Sequence, residues 1–265
     1  MIGAKLGAGR EADVHAWGED AVVKLYRPGF LGHRTEAVAL ATLNGRGIAP
    51  TLVDTVDCNG RTGLVLQRLG GPDMLSVLQR QPWRVLGLAR ALADTHLVVH
   101  EIPAPGELPE LRRVLTARIA DAVLPLYLRD FALRVLEELP DGDRLCHGDY
   151  HPGNVLVGAD RVAVIDWPNA TRGVPEADHA RTMLLLRWAD PLPDTPLVSR
   201  ALIKAGRSVF AHGYAQAYRD RSPQPLRQMA SWLVVHAAAR LAERIQVEQP
   251  SLIGFLDRAH QRAGR

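Results

Sequence analysis

The chain has 265 residues, 47% of them apolar and 23% charged, which suffices for one large or two modest globular bodies with a core and excludes a disordered or fibrous chain. Its 32 Lys plus Arg against 29 Asp plus Glu leave a formal charge of +3, too little to point to nucleic acid or a membrane surface. Cys58 and Cys146 stand far apart without metal-ligand spacing, arguing against a disulfide framework or zinc ribbon. No apolar run approaches the roughly 18 residues of a membrane span, and no secretory apolar segment follows Met1. A soluble, cytoplasmic protein is therefore expected.

From Leu6 to Leu69, short Val-rich runs alternate with turn residues, and Val14–Trp17, Ala21–Tyr26, Thr51–Val53 and Gly63–Leu66 predict strands. Gly18-Glu19-Asp20 predicts a tight turn between the first two, and Asn59-Gly60 a second hairpin, because both residues tolerate positive φ. One helix is predicted from Thr35 to about Leu43, with Gly45 placed to stop it. Residues 1–69 thus read as an antiparallel sheet lobe with one helix. After Gly70-Gly71-Pro72 helical patterns dominate, giving a second lobe over 70–265. Pro82 opens a helix predicted to gather Leu86, Ala89, Ala93, His96 and Leu97 on one face, and Leu111, Leu115 and Ile119 recur at i+4 in the next. Between Leu145 and Asp166 the helical period lapses. There Asn154–Val157 and Val162–Ile165 predict a hairpin joined by Gly158-Ala159-Asp160-Arg161. A loop and hairpin held by rigid helical flanks is a favoured place for chemistry.

Three stretches carry candidate chemistry. In His147-Gly148-Asp149-Tyr150-His151-Pro152-Gly153-Asn154, Asp149 is placed to accept a proton from a hydroxyl, and Asn154 with Asp166 offers the oxygen ligands that Mg²⁺ prefers. A rival reading makes His147, Asp149 and His151 a transition-metal cluster, though a fourth ligand is missing. The second stretch, Gly7-Ala8-Gly9-Arg10-Glu11-Ala12, is expected to have strand on both sides. A glycine turn between antiparallel strands suits a lid over phosphates better than a dinucleotide fingerprint, which needs a strand-to-helix turn. The third is Lys24, one of only three lysines with Lys5 and Lys204, embedded in the apolar run Ala21–Tyr26. An ammonium there needs a carboxylate or an anionic ligand, and Glu36 on the following helix is the candidate partner.

Together these stretches resemble the protein-kinase-like fold, and more closely the aminoglycoside phosphotransferase family of small-molecule kinases, over most of Gly7 to Asp178. The resemblance rests on His147-x-Asp149 with Asn154 five residues on, on Ile165-Asp166-Trp167, and on Gly173-Val174-Pro175 with Asp178-His179-Ala180. Protein kinases differ: they carry Arg before the catalytic Asp and Asp-Phe-Gly where this chain has Asp166-Trp167-Pro168. The resemblance implies an α+β, bilobal architecture with an antiparallel-sheet N-lobe and a mostly helical C-lobe. It implies ATP or GTP with Mg²⁺ as cofactors, Asp149 as catalytic base, Asn154 and Asp166 as metal ligands, and Lys24 on the α and β phosphates, oriented by Glu36. Gly7 and Gly9 would cover the phosphates, with Ala12 in the place of a third glycine, and the adenine would lie against Gln67-Arg68-Leu69.

The implied substrate is a small-molecule hydroxyl: an aminoglycoside, or another metabolite or antibiotic such as an amino alcohol, sugar or macrolide. A non-catalytic nucleotide-binding protein is the remaining alternative, but no catalytic residue is missing. From Ala170 onward there are 8 acidic and 14 basic residues, a balance that does not favour a polycationic acceptor. A monomer or weak dimer without nucleic-acid or membrane partners is expected.

Overall fold

The Val-rich runs of the first lobe build a five-stranded antiparallel sheet of β1 (Ile2–Ala8), β2 (Ala12–Trp17), β3 (Ala21–Tyr26), β4 (Leu52–Cys58) and β5 (Arg61–Gln67), in the order β1-β2-β3-β5-β4. The computed structural model describes residues 2–159, 161–188 and 197–264, with side chains omitted for 197–204. The turn residue Asp160, the acids Asp190 and Asp194, Arg265, and the side chains of Arg200 and Lys204 lie outside the described residues.

The period of two decides what β3 presents. Val23 and Leu25 pack with Val65 on one face, while Val22, Lys24 and Tyr26 occupy the other. Both faces of the strand are covered, which is why its sequence reads as a continuous apolar run. Asn59 and Gly60 have φ of +56° and +76°, the two positive values that a tight turn matching the strand twist requires. The edge strand β1 is largely exposed, so it carries no apolar alternation to mark its bounds.

Helix α1 spans Gly32–Leu43, starting three residues before the expected Thr35. Glu36, Ala39, Leu40 and Leu43 form its buried side, the 3.6-residue period placing one acid on an otherwise apolar stripe.

The second lobe contains α2 (Met74–Arg80), α3 (Val85–His100), α4 (Leu111–Asp121), α5 (Leu126–Glu137), α6 (Pro175–Trp188), α7 (Leu197–Arg221), α8 (Met229–Arg240) and α9 (Gln249–Ala263). Two short antiparallel ladders interrupt the helices: β6 (Arg144–Cys146) with β9 (Thr171–Gly173), and β7 (Val155–Val157) with β8 (Val162–Val164). Asp73 caps α2 by accepting from Ser76 N at 2.9 Å.

Pro82 opens a single 3₁₀ turn rather than α3 itself. The predicted face is corrected at one position: Leu86, in the first turn of α3, is 62% exposed, and the buried stripe is Leu88, Ala89, Leu92, Ala93, His96, Val99 and His100. Leu111, Leu115 and Ile119 are buried as expected.

One apolar core runs through both lobes, joining Tyr26, Leu40 and Leu66 to Leu92, Tyr150 and Trp167. A second fills the space among α4, α5, α6, α8 and α9 around Trp232. Each fully buried Leu in such a core contributes about 1.5–3 kcal/mol, so the loop from His147 to Asn154 is fixed between firm layers. Among the described residues, no helix is long and apolar enough to cross a membrane.

Candidate active site

Strand β6 delivers the chain to the loop His147–Asn154. Gly148 has φ +76°, and a Cβ there would lie 2.3 Å from the Asn169 carbonyl oxygen, so only glycine fits. The buried His147 props this loop: Nε2 bonds the Ile165 carbonyl at 3.1 Å, and Nδ1 accepts from Asp149 N at 3.2 Å. Burial lowers its pKa, and both ring nitrogens are already engaged. A metal cluster of His147, Asp149 and His151 is therefore not built here.

Among the described residues, the group dense enough in donor atoms for a metal is His96, His100 and Asp178, deep beneath the loop. There Asp178 accepts from His147 N (2.6 Å), Gly148 N (2.9 Å), His96 Nε2 (3.0 Å) and His100 Nε2 (3.2 Å). Tyr214 and Tyr218 hydroxyls meet the two Nδ1 atoms, each at 2.7 Å. Every donor finds an acceptor, so the cluster reads as a buried hydrogen-bond network that positions the loop. Burial raises the carboxyl pKa of Asp178 less than the His100 and His96 bonds lower it, and the group stays ionised.

Across the cleft, Lys24 Nζ lies 2.6 Å from Glu36 Oε2 and 2.6 Å from Asp166 Oδ1. Burial opposes the ammonium charge, but Glu36 and then Asp166 outweigh it and raise its pKa. Glu36 is held in turn by the Tyr26 hydroxyl and by Trp167 N at 3.3 Å. Asp166 has φ +70°, a left-handed conformation that costs about 1–3 kcal/mol outside glycine and recurs at functional sites.

Asn154 follows from a one-turn 3₁₀ helix, Pro152–Asn154, and its Nδ2 donates to the Asp149 carbonyl at 3.0 Å. That bond spends a donor of the amide and leaves its oxygen without a protein hydrogen bond among the described residues. Ile165 N bonds the Asn154 carbonyl at 2.9 Å, tying the two candidate ligands together. An amide oxygen and a carboxylate, with no thiolate or free imidazole between them, fit a hard divalent cation such as Mg²⁺.

The hairpin of β1 and β2 overhangs this end of the cleft. Gly9 N closes its turn on the Ala12 carbonyl at 2.8 Å, and a Cβ on Gly7 would meet open space. Glu11 projects from the turn into the cleft, where burial and then the charge of Asp166 raise its pKa. At the interlobe segment, Gln67 N and Arg68 N are committed to the Thr51 and Asp20 carbonyls at 2.9 and 2.8 Å. Within residues 67–69 this leaves the Leu69 amide as the open backbone donor.

Asp149 lines the same cleft, whose volume is about 1790 Å³. Burial would raise its carboxyl pKa, but the His151 bond and charge, then Arg181, bring it well below the usual carboxylate range. His151 Nε2 lies 3.6 Å from Oδ2 and Arg181 Nη2 3.8 Å from Oδ1.

Residues that motif spacing did not single out surround Asp149. Arg181, three residues after Asp178 and hence on nearly the same face of α6, sends Nε to the Gly148 carbonyl at 3.3 Å and Nη2 to Glu243 at 2.7 Å. Arg240 pairs with Glu243 at 2.6 Å and grips Glu248 with two bonds of 2.8 and 2.9 Å. Arg118 of α4 donates to Asn169 Oδ1 at 2.7 Å. The basic balance of the segment from Ala170 onward is the one sequence signal that touches Arg181 and Arg240, and it does not reach Arg118.

A model of the phosphotransferase enzyme family matches residues 4–227. No curated protein sequence matched. Among solved structures, a thermostable mutant of the aminoglycoside phosphotransferase APH(4)-Ia shares 17% identity at a TM-score of 0.66, covering 100% of this chain and 94% of the other. A choline/ethanolamine kinase family protein from Mesorhizobium loti shares 16% at 0.62, covering 99% and 86%. The amicoumacin kinase hAmiN, in complex with AMP-PNP, Ca²⁺ and Ami, shares 15% at 0.63, covering 97% and 86%. These likenesses establish the bilobal fold, and the family match spans more than four-fifths of the sequence: the chain belongs to the phosphotransferase enzyme family.

Proposed function

We propose that the protein transfers the γ-phosphoryl group of a purine nucleoside triphosphate, ATP in the first instance, to a hydroxyl of a small molecule. The observation that carries this is one cleft that holds Lys24 paired at 2.6 Å with both Glu36 and Asp166, together with Asp149 held ionised. Asn154 and Asp166 would hold Mg²⁺, which when bound supplies positive charge to the β and γ phosphate oxygens.

In this reading Lys24 contacts the α and β phosphates while Glu36 and Tyr26 fix its position. Gly7 and Gly9 let backbone amides approach the phosphates, and the Leu69 amide offers a donor to the purine edge. The acceptor oxygen forms its bond to the γ phosphorus as the bond from that phosphorus to the β–γ bridging oxygen breaks. Asp149 orients the hydroxyl and takes its proton. A base of low pKa serves well, because the loose phosphoryl transition state draws the proton off late. Cys58 and Cys146 are both free thiols, which supports a reducing compartment such as the cytoplasm.

Paired variants test the division of roles. Asp149→Asn should cut kcat on the order of 10²-fold or more while nucleotide Kd stays within a few-fold. Asp166→Asn should weaken Mg²⁺-nucleotide binding as well as turnover. Calorimetry with ATP, ADP and GTP, each with and without Mg²⁺, measures the first step. No heat above dilution for any nucleotide sinks the proposal, and equal loss of nucleotide binding in both variants refutes the assignment of roles.

A further inference from the structure

The cleft floor around Asp149 is built from guanidinium groups rather than free carboxylates. Glu243 is the other acid lining this end, and it already accepts from Arg181 and Arg240 at 2.7 and 2.6 Å. Arg240 is satisfied further by Glu248. Apart from the proposed base Asp149, the acceptor end therefore presents, among the described residues, no carboxylate without an arginine already bonded to it.

Arg118 is the group left over. It lines the same cleft on α4, its one hydrogen bond among the described residues goes to a neutral amide, and no described carboxylate lies within ion-pair distance. Burial, and then the charge of Arg181, oppose its own charge. Four of its five donors are left unspent and face the cleft, where an oxyanion can take them.

We infer that the phosphate acceptor carries an anionic group, a carboxylate or its phosphate equivalent, held by Arg118 beside Arg181. This rests on the phosphotransferase reading and specifies its substrate class. The planar fork of Arg fits either oxyanion through two parallel bonds, at about 2.7–2.9 Å. Arg181 Nη2 is 3.8 Å from the Asp149 carboxylate that would take the hydroxyl proton. Arg118 and Asp149 line the same cleft, so the hydroxyl and the anion belong to one small molecule. A compact hydroxy acid or sugar acid has this form. A polycationic aminoglycoside does not, since the like charge of Arg118, which has no carboxylate partner among the described residues, opposes it.

The test uses one skeleton in three charge states: glycerate, glycerol and serinol, then glucuronate, glucose and glucosamine, with glycerol 3-phosphate as the phosphate probe. Calorimetry on the full chain with Mg²⁺ and AMP-PNP should show an anionic form bound at least about tenfold tighter than its amine counterpart. Arg118→Gln, which keeps a donor for Asn169, should abolish that preference, and Arg118→Lys should restore part of it. Circular dichroism melts of both variants establish folding. Tighter binding of the amine forms, no binding of any anionic form, or a preference that survives Arg118→Gln overturns the inference. So does a loss of AMP-PNP affinity in Arg118→Gln as large as the loss for the anion, which would assign the guanidinium to the transferred phosphoryl group. Wild-type protein that binds the anionic probes but no nucleotide would instead refute the phosphotransferase reading and leave the anion site standing.

Discussion

Acidification from pH 7 to pH 5 should destabilise the fold by about 4 kcal/mol through two imidazoles alone. Burial, reinforced by His100 at His96 and by Arg181 at His236, lowers both pKa values from 6.5 to about 3. In the unfolded chain each ring takes up a proton as pH passes about 6.5, whereas the folded forms stay neutral over this range. The unfolded state then binds more protons, so stability falls as pH falls. For one ring the change is RT ln[(1 + 10^1.5)/(1 + 10^−0.5)], about 2 kcal/mol, and about twice that for two. His147 and His179, also lowered by burial, act with the same sign. The depressed carboxyls Asp149 and Asp178 lose their contribution only at still lower pH, when they protonate in the fold. Against a typical total of about 5–15 kcal/mol, the loss is large. Urea unfolding followed by Trp fluorescence at pH 7, 6 and 5, at one ionic strength, measures it as a fall in midpoint with constant slope. His96→Gln should remove up to half of the pH dependence. A midpoint that holds or rises at pH 5 would mean that His96 is protonated against Asp178 inside the fold, and the lowered pKa of His96 would be refuted.

Three further outcomes are expected. Gly148→Ala should cost about 2 kcal/mol or more and most of the activity, because its Cβ meets the Asn169 carbonyl in a left-handed conformation; a wild-type melting temperature would contradict this. His151→Ala removes the foremost influence lowering the Asp149 pKa, so the acid limb of the kcat profile should move to higher pH, and an unmoved limb would detach His151 from the base. Glu11→Gln removes a negative charge near Asp166 and should tighten Mg²⁺-nucleotide binding by roughly three- to tenfold; weaker binding would make Glu11 a cation ligand instead.

The motifs that could be read along the chain are those whose geometry is local. The turn at Asn59-Gly60 and the span of β3 follow from period and φ preference, and the loop from His147 to Asn154 is closed by bonds within itself and to Ile165. Lys24 with Glu36 was legible because an ammonium in a Val-rich strand needs an acid, and the next helix supplied one on its buried side. The arginine group was not legible. Arg118, Arg181 and Arg240 come from α4, α6 and α8, and only the packing of those helices around Trp232 makes them neighbours. Leu86 is misplaced for a related reason: it shares the helical period of the buried Ala89, Ala93 and His96, but at the first turn of α3 it stays exposed, and a periodic pattern does not show where such cover ends.

The carboxylate of Asp178 ties the amides of His147 and Gly148 to the interior at 2.6 and 2.9 Å. Those two amides cannot exchange their protons with solvent by local fraying, since opening them strands a buried negative charge. Their deuterium uptake should follow the slow, near-global opening of the helical lobe and be indifferent to whether the cleft is filled. The loop from His147 to Asn154 then reaches its shape once, during folding, and a ligand arriving in the cleft meets a backbone already ordered at His147 and Gly148.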